Sequence, residues 1–223
     1  MKRTKIDDRP LPYYTRGEEI FNALSHLGGA ALGAFALALM LFTTIKGGRA
    51  NDIIGCSIYG ASLVLLYSAS GVYHALKVSR AKKIMRVVDH CSIYLLIAGT
   101  YSPILLSSVM KASPVCAVCT LICVWSFALL SSILTAIDLY RFSKFSMFAY
   151  ISIGWSLLLI GKIAFSALGR SATIVILLGG AIYTLGTILY SLGRTHRYMH
   201  SLFHIFVLIG SALHFFAIFF FVI

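Results

Sequence analysis

The chain has 223 residues, of which 59% are hydrophobic and 12% charged, against about 25% charged in an ordinary soluble domain. Uncharged apolar runs recur from end to end, which excludes a soluble globular fold and makes this a membrane protein. Nineteen Lys and Arg face seven Asp and Glu, but the basic residues sit between apolar runs. Lipid headgroups and membrane orientation account for them there, and no nucleic-acid-binding pattern is present.

The opening stretch, "MKRTKIDDRPLPYYTRGEE", is polar for too long to be the leading region of an ordinary cleaved signal. Residues 1–23 are expected to form a cytoplasmic N-terminal segment, and 24–223 a single membrane domain. The fold class is all-α. Seven apolar runs are long enough to span, over 24–45, 54–76, 88–109, 114–137, 147–168, 172–192 and 200–222. Their connections are short, so they should form one compact seven-helix bundle with no soluble domain.

Lys and Arg set the orientation. Fourteen of them fall on one side: Lys2, Arg3, Lys5, Arg9 and Arg16 before the first run; Lys77, Arg80, Lys82, Lys83 and Arg86 between the second and third; Arg141, Lys144, Arg194 and Arg197 in the later connections. Five, Lys46, Arg49, Lys111, Lys162 and Arg170, fall on the other. The N-terminus is therefore expected in the cytoplasm and the C-terminus outside. Cys116, Cys119 and Cys123 share a helix face inside an apolar run, where they read as small packing residues rather than redox or metal ligands; Cys56 and Cys91 are isolated.

With that topology, polar residues from separate spans converge on the cytoplasmic end. His26 opens the first span, His74 closes the second, Asp89 and His90 open the third, and His200 and His204 open the last. Ionisable groups at membrane depth are costly and mark function. His200 and His204, four residues apart, share a face, a common zinc-binding device. His74 supplies a third imidazole at the same depth. Three protein ligands leave a fourth position open, the pattern of a catalytic zinc. Asp89 suits a general base or a partner to the metal's ligands, and equally a first-turn acid on its helix. Ser70, one turn deeper than His74, is placed to hold a water or a lipid oxygen, or to bond back to its own helix. His90 points away from Asp89. His214 is too far along the helix for the same metal and reads as a buried hydrogen-bonding histidine, and His196 as a loop residue. His26 reads equally as an approach to the site or as an interfacial packing residue.

These residues stand in a recognisable order. Glu18 or Glu19 with Asn22 and His26, then Ser70, His74 and Asp89, then "HSLFH" at 200–204 with His214, together resemble the three motifs of the hemolysin III family, the bacterial branch of the progestin and adipoQ receptor proteins. "DHCSIYLLIAGTYSP" at 89–103 is similar to the bacterial members in particular. The resemblance implies Zn2+ held by His74, His200 and His204, with Asp89 beside it, in a multi-pass protein of the bacterial cytoplasmic (inner) membrane. The wider superfamily includes ceramidases, which implies hydrolysis of a lipid amide or ester with Asp89 and Ser70 as catalytic residues and membrane lipids as partners. An adiponectin-type protein ligand is not expected, because the long soluble region of the receptors is missing. A non-enzymatic regulator with structural zinc is the competing expectation, separated from the enzyme by whether a fourth protein ligand closes the site. The family's name implies a cytolytic pore, which a seven-span protein with a cytoplasm-facing site does not resemble. The last span contains no Lys for a retinal Schiff base.

Overall fold

The computed structural model describes residues 4–223; Lys2 and Arg3, both counted above, lie outside them. The described chain is all helical. A short 3-10 turn over Ile6–Asp8 precedes six helical runs long and apolar enough to cross a membrane: α1 (Arg16–Gly47), α2 (Ala50–Ala75), α3 (Arg80–Ala112), α4 (Pro114–Ile137), α5 (Ser143–Leu192) and α6 (Met199–Val222).

The helices begin where caps begin, which is often ahead of the apolar run. Thr15 and Glu18 close a reciprocal capping box at the start of α1, so that helix starts at Arg16 rather than near position 24. Ser79 caps α3 through the Lys82 N–H. Ser113 caps α4, with Pro114 in the first turn, and there the apolar run and the helix share the same ends. Hydropathy marks the part of a helix that meets lipid, while capping chemistry marks the helix itself.

The expected fifth and sixth spans are joined in α5, and the junction is Gly169, whose φ of 76° and ψ of 172° fall in a region essentially reserved for glycine. Trp155 Nε1 donates to Thr184 Oγ1 across 3.0 Å. A straight helix would hold those two residues about 43 Å apart at 1.5 Å per residue. The run therefore folds back on itself at Gly169, and its two halves pack side by side. Farther along the first half, a 3-10 turn over Ser156–Ile160 frees backbone groups that lipid cannot satisfy. Tyr101 of α3 meets them: its hydroxyl donates to the Ile153 carbonyl at 2.8 Å and accepts from the Leu157 N–H at 2.9 Å.

Buried tyrosines fix the register of α6. Tyr67 of α2 and Tyr183 of α5 both meet the Ser211 hydroxyl at 2.6 Å, and Tyr59 donates to the Ser211 carbonyl at 3.3 Å. One serine thus ties α6 to two neighbours, two turns inward from His204. The termini lie at opposite ends of the bundle. Tyr14 stacks on His200, while Arg49, in the α1–α2 turn, reaches the Ile223 carbonyl at 3.4 Å. Cys56 is fully buried packing; Cys119 and Cys123 face outward on α4, and none of the five cysteines is in a disulfide.

Helices α2 and α3 touch backbone to backbone at Gly55, where an added Cβ would lie 2.7 Å from Pro103 Cα. Gly55→Ala should force the pair apart and destabilise the protein by about 1–3 kcal/mol, the usual cost of overpacking. Gly28→Ala, with nothing within 4 Å, is the control. Thermal unfolding in detergent checks this: a lowered Tm for Gly55→Ala alone is expected, and equal midpoints would show that the contact is not tight.

Candidate metal centre

The chain brings three imidazoles together from two helix ends. His74 sits in the last turn of α2, and His200 and His204 in the first turns of α6. All three are buried. His200 Nε2 lies 3.4 Å from His74 Nε2 and 3.2 Å from His204 Nε2. One ligand atom from each fits within 4.8 Å of the others, and among the described residues no further His, Cys, Asp or Glu joins the group. The cluster can hold a metal ion with coordination space left over.

Around the cluster, the first turn of α1 makes two reaches. Glu19 Oε2 lies 2.7 Å from His74 Nδ1, and Glu19 Oε1 accepts from Lys82 Nζ at 2.7 Å. Lys82 is buried and also donates to the Leu76 carbonyl at 2.9 Å. Glu18 Oε1 accepts from the Tyr198 N–H at 2.7 Å. Tyr198 has a left-handed φ of 61° and immediately precedes α6, so Glu18 braces the turn that delivers His200.

His26 enters the site from α1. Its ring stacks on His204, with centroids 3.8 Å apart, and meets Tyr67 edge-on. The side chains of Asn22 and His26 are buried with no hydrogen-bond partner in the described structure. His90 bonds the Arg86 carbonyl at 2.8 Å, approaches the Tyr190 hydroxyl at 3.3 Å and lines the same cavity as His200 and His204. His214 approaches the Ile176 carbonyl at 3.1 Å, as a buried structural histidine should. His196 is exposed in the turn before α6.

His200, His204, Ser70 and Asp89 line one cavity of about 410 Å³. The Ser70 hydroxyl faces the Asp89 carboxylate. From there the cavity continues inward past Ile93, Ile97, Met147 and Phe203 to Trp155 and His214. Both expected catalytic residues and the two α6 histidines therefore open onto one largely apolar chamber, with His74 behind them.

The N-terminal strap closes the near end of this chamber. Leu11, Pro12 and Tyr14 line it, and Tyr14 stacks on His200 at 4.8 Å. Burial, with Tyr73 and Tyr190 alongside, pushes the Tyr14 phenol well above its ordinary range, so it remains a neutral hydroxyl. The Pro10 carbonyl accepts from Arg86 at 2.9 Å and from the Tyr140 hydroxyl at 2.5 Å. The Thr4 N–H donates to Asp138 at 3.0 Å. Burial opposes ionisation of Asp138, but the N–H groups of Thr4, Arg141 and Tyr140 outweigh it and hold the carboxyl at about 2.

The structure brings Ser70, His74, Asp89, His200 and His204 together at one end of the bundle. The sequence did not reveal the tie from Glu19 to His74, the burial of Lys82 or the docking of Tyr14. Lys82 looks like any other basic residue of its connection, and Tyr14 carries no motif of its own.

Residues 14–215 match the family described as Haemolysin-III related. The chain is 35% identical over 208 residues to a hemolysin-3 homolog of Bacillus subtilis (strain 168), covering 93% of this chain and 96% of that one. It is 34% identical to hemolysin-3 of Bacillus cereus, covering 92% of each. It is also 27% identical over 168 residues to the human monocyte to macrophage differentiation factor, covering 72% of this chain and 67% of the relative. The chain belongs to the Haemolysin-III related family of membrane proteins.

Proposed function

We propose that this protein is a zinc-dependent membrane hydrolase that cleaves lipid amide or ester bonds at the cytoplasmic face. The observation that carries the reading is a three-histidine cluster with no fourth protein ligand, opening onto an apolar chamber that also holds Asp89 and Ser70. A structural site would be closed by a further ligand.

The donor set fits zinc. Two of the three nitrogen separations are 3.4 and 3.2 Å and all three atoms lie within 4.8 Å of one another, close enough for three imidazoles to share one ion. When bound, zinc supplies a Lewis acid that polarises a carbonyl and acidifies water. His74, His200 and His204 would hold it. Asp89 takes a proton from the water that attacks the carbonyl carbon. It returns that proton to the departing amine or alcohol as the carbon–nitrogen or carbon–oxygen bond breaks. Ser70 orients the Asp89 carboxylate and offers its hydroxyl to the substrate oxygen. The apolar walls at Ile93, Ile97 and Met147 accept an acyl chain.

The same reading has the chain cross the bacterial inner membrane seven times, N-terminus in the cytoplasm and C-terminus outside. Three observations support it. The run α5 folds back at Gly169. The termini occupy opposite ends of the bundle, which requires an odd number of crossings. Among the described residues, basic side chains divide twelve to five in favour of the histidine end.

Purified protein should carry about one zinc per chain, and His200→Ala with His204→Ala should remove it; normal zinc by elemental analysis in the double variant would overturn the metal assignment. A reporter fused after Ile223 should be active only outside the cytoplasm, and a cytoplasmic signal would reverse the topology. Hydrolysis of a panel of ceramides and acyl lipids in nanodiscs should fall by about 10²–10⁴ in Asp89→Asn while zinc is largely retained. Wild-type turnover no faster than in zinc-stripped protein would favour a non-enzymatic regulator. Lysis, the activity in the names of the Bacillus relatives, would persist in Asp89→Asn if it were independent of this chemistry.

A further inference from the structure

Two adjacent acids open α1, and they face different ways. Glu18 is occupied by the helix cap and the Tyr198 turn. Glu19 is turned toward α2 and α3. One oxygen meets His74 Nδ1 and the other meets Lys82 Nζ, both at 2.7 Å. An ionised carboxylate only accepts hydrogen bonds, so the His74 proton stands on Nδ1 and the Nε2 lone pair faces His200. That is the tautomer a metal ligand requires, and the carboxylate makes the imidazole a stronger donor.

Lys82 completes the arrangement. Its side chain is almost wholly buried, and its charge is met by Glu19, the Leu76 carbonyl and the face of Tyr73 at 5.0 Å. Leu76 lies two residues beyond His74, at the C-cap of α2. Lys82 therefore holds both the carboxylate that contacts His74 and the end of the helix that carries it. Lys82 also stands two turns before Asp89 on α3. Through this pair, three helices agree on the position of one imidazole.

We propose that Glu19 is a positioning residue for the metal, setting the tautomer, aim and donor strength of His74, and that buried Lys82 holds its carboxylate in place. This rests on the metal reading above and deepens it. The plain alternative is a packing ion pair that happens to adjoin a ligand. The two differ in what replacing both partners does. A packing pair can be exchanged for uncharged groups of similar size with stability kept, and metal affinity would then return with it. A positioning pair cannot be so exchanged, because the charged acceptor on His74 Nδ1 is gone.

The experiment measures zinc affinity by chelator competition, and thermal unfolding of the zinc-free protein, for full-length wild type, Glu19→Gln, Lys82→Met and the double variant in nanodiscs. Glu19→Gln should weaken zinc binding by about 10–100-fold. Adding Lys82→Met should restore the thermal midpoint toward wild type without restoring affinity. The cobalt(II)-loaded Glu19→Gln protein should show shifted ligand-field bands, reporting an altered donor set. Wild-type zinc affinity in Glu19→Gln, or affinity that recovers together with stability in the double variant, would overturn the positioning role and leave the metal site standing. Failure of wild type itself to bind zinc or cobalt would overturn both.

Discussion

Three buried imidazoles, with one nitrogen from each within 4.8 Å of the others, are the constraint on which the rest of this structure turns. The surrounding helix ends are arranged to keep them together. The tyrosine ties to Ser211 stop α6 from sliding or rotating. The Glu18 brace on Tyr198 sets where α6 begins. His26 presses on the far side of His204. Because all three imidazoles sit at helix ends, the demand that membrane backbone satisfy itself is met by the helices, and the site is free to be irregular.

The site also explains a division of labour along the bundle. At the strap end stand the ionisable groups Glu18, Glu19, Lys82, Arg86 and Asp89, with Glu19 and Lys82 paired at 2.7 Å. Deeper in, the chamber is lined by apolar and aromatic side chains with isolated hydroxyls. A substrate with one polar linkage and a long apolar tail matches that gradient, whereas a small polar solute would leave most of the chamber wall unsatisfied.

Much of this was legible from the sequence because membranes simplify it. Apolar runs named the spans, and histidines stood out against a background with few other charges. The α4 run could be read to the residue because Ser113 and Pro114 cap it where its apolar stretch starts. α1 could not, because its first turn is polar and helical at once. The sequence separated the runs 147–168 and 172–192 but did not show that they form one continuous helical run, since a single glycine with positive φ stands where a loop was expected. Within the site, His200 and His204 were legible by their spacing and His74 by its depth on a separate span. Their supports were not, because Glu19 and Lys82 are 63 residues apart in sequence and nothing local distinguishes a buried Lys from a headgroup-facing one.

The strap has a consequence of its own. Its attachments fall mostly on main-chain atoms: the Thr4 N–H on Asp138, the Asp7 carbonyl on Lys83, and the Pro10 carbonyl on Arg86 and Tyr140. Arg9 is a side-chain anchor as well, its buried guanidinium donating to the Ile137 carbonyl at 2.7 Å; away from Arg9 and the chamber-lining residues the strap's side chains are largely interchangeable, but its length is not. The span from Thr4 to the Thr15 cap is a measured tether, pinned at both ends, with Tyr14 at the one position that meets His200. Adding or removing a single residue would leave every anchor chemically intact and still carry the aromatic ring off its histidine. Across variants of this protein, the strap should drift in composition while holding its residue count.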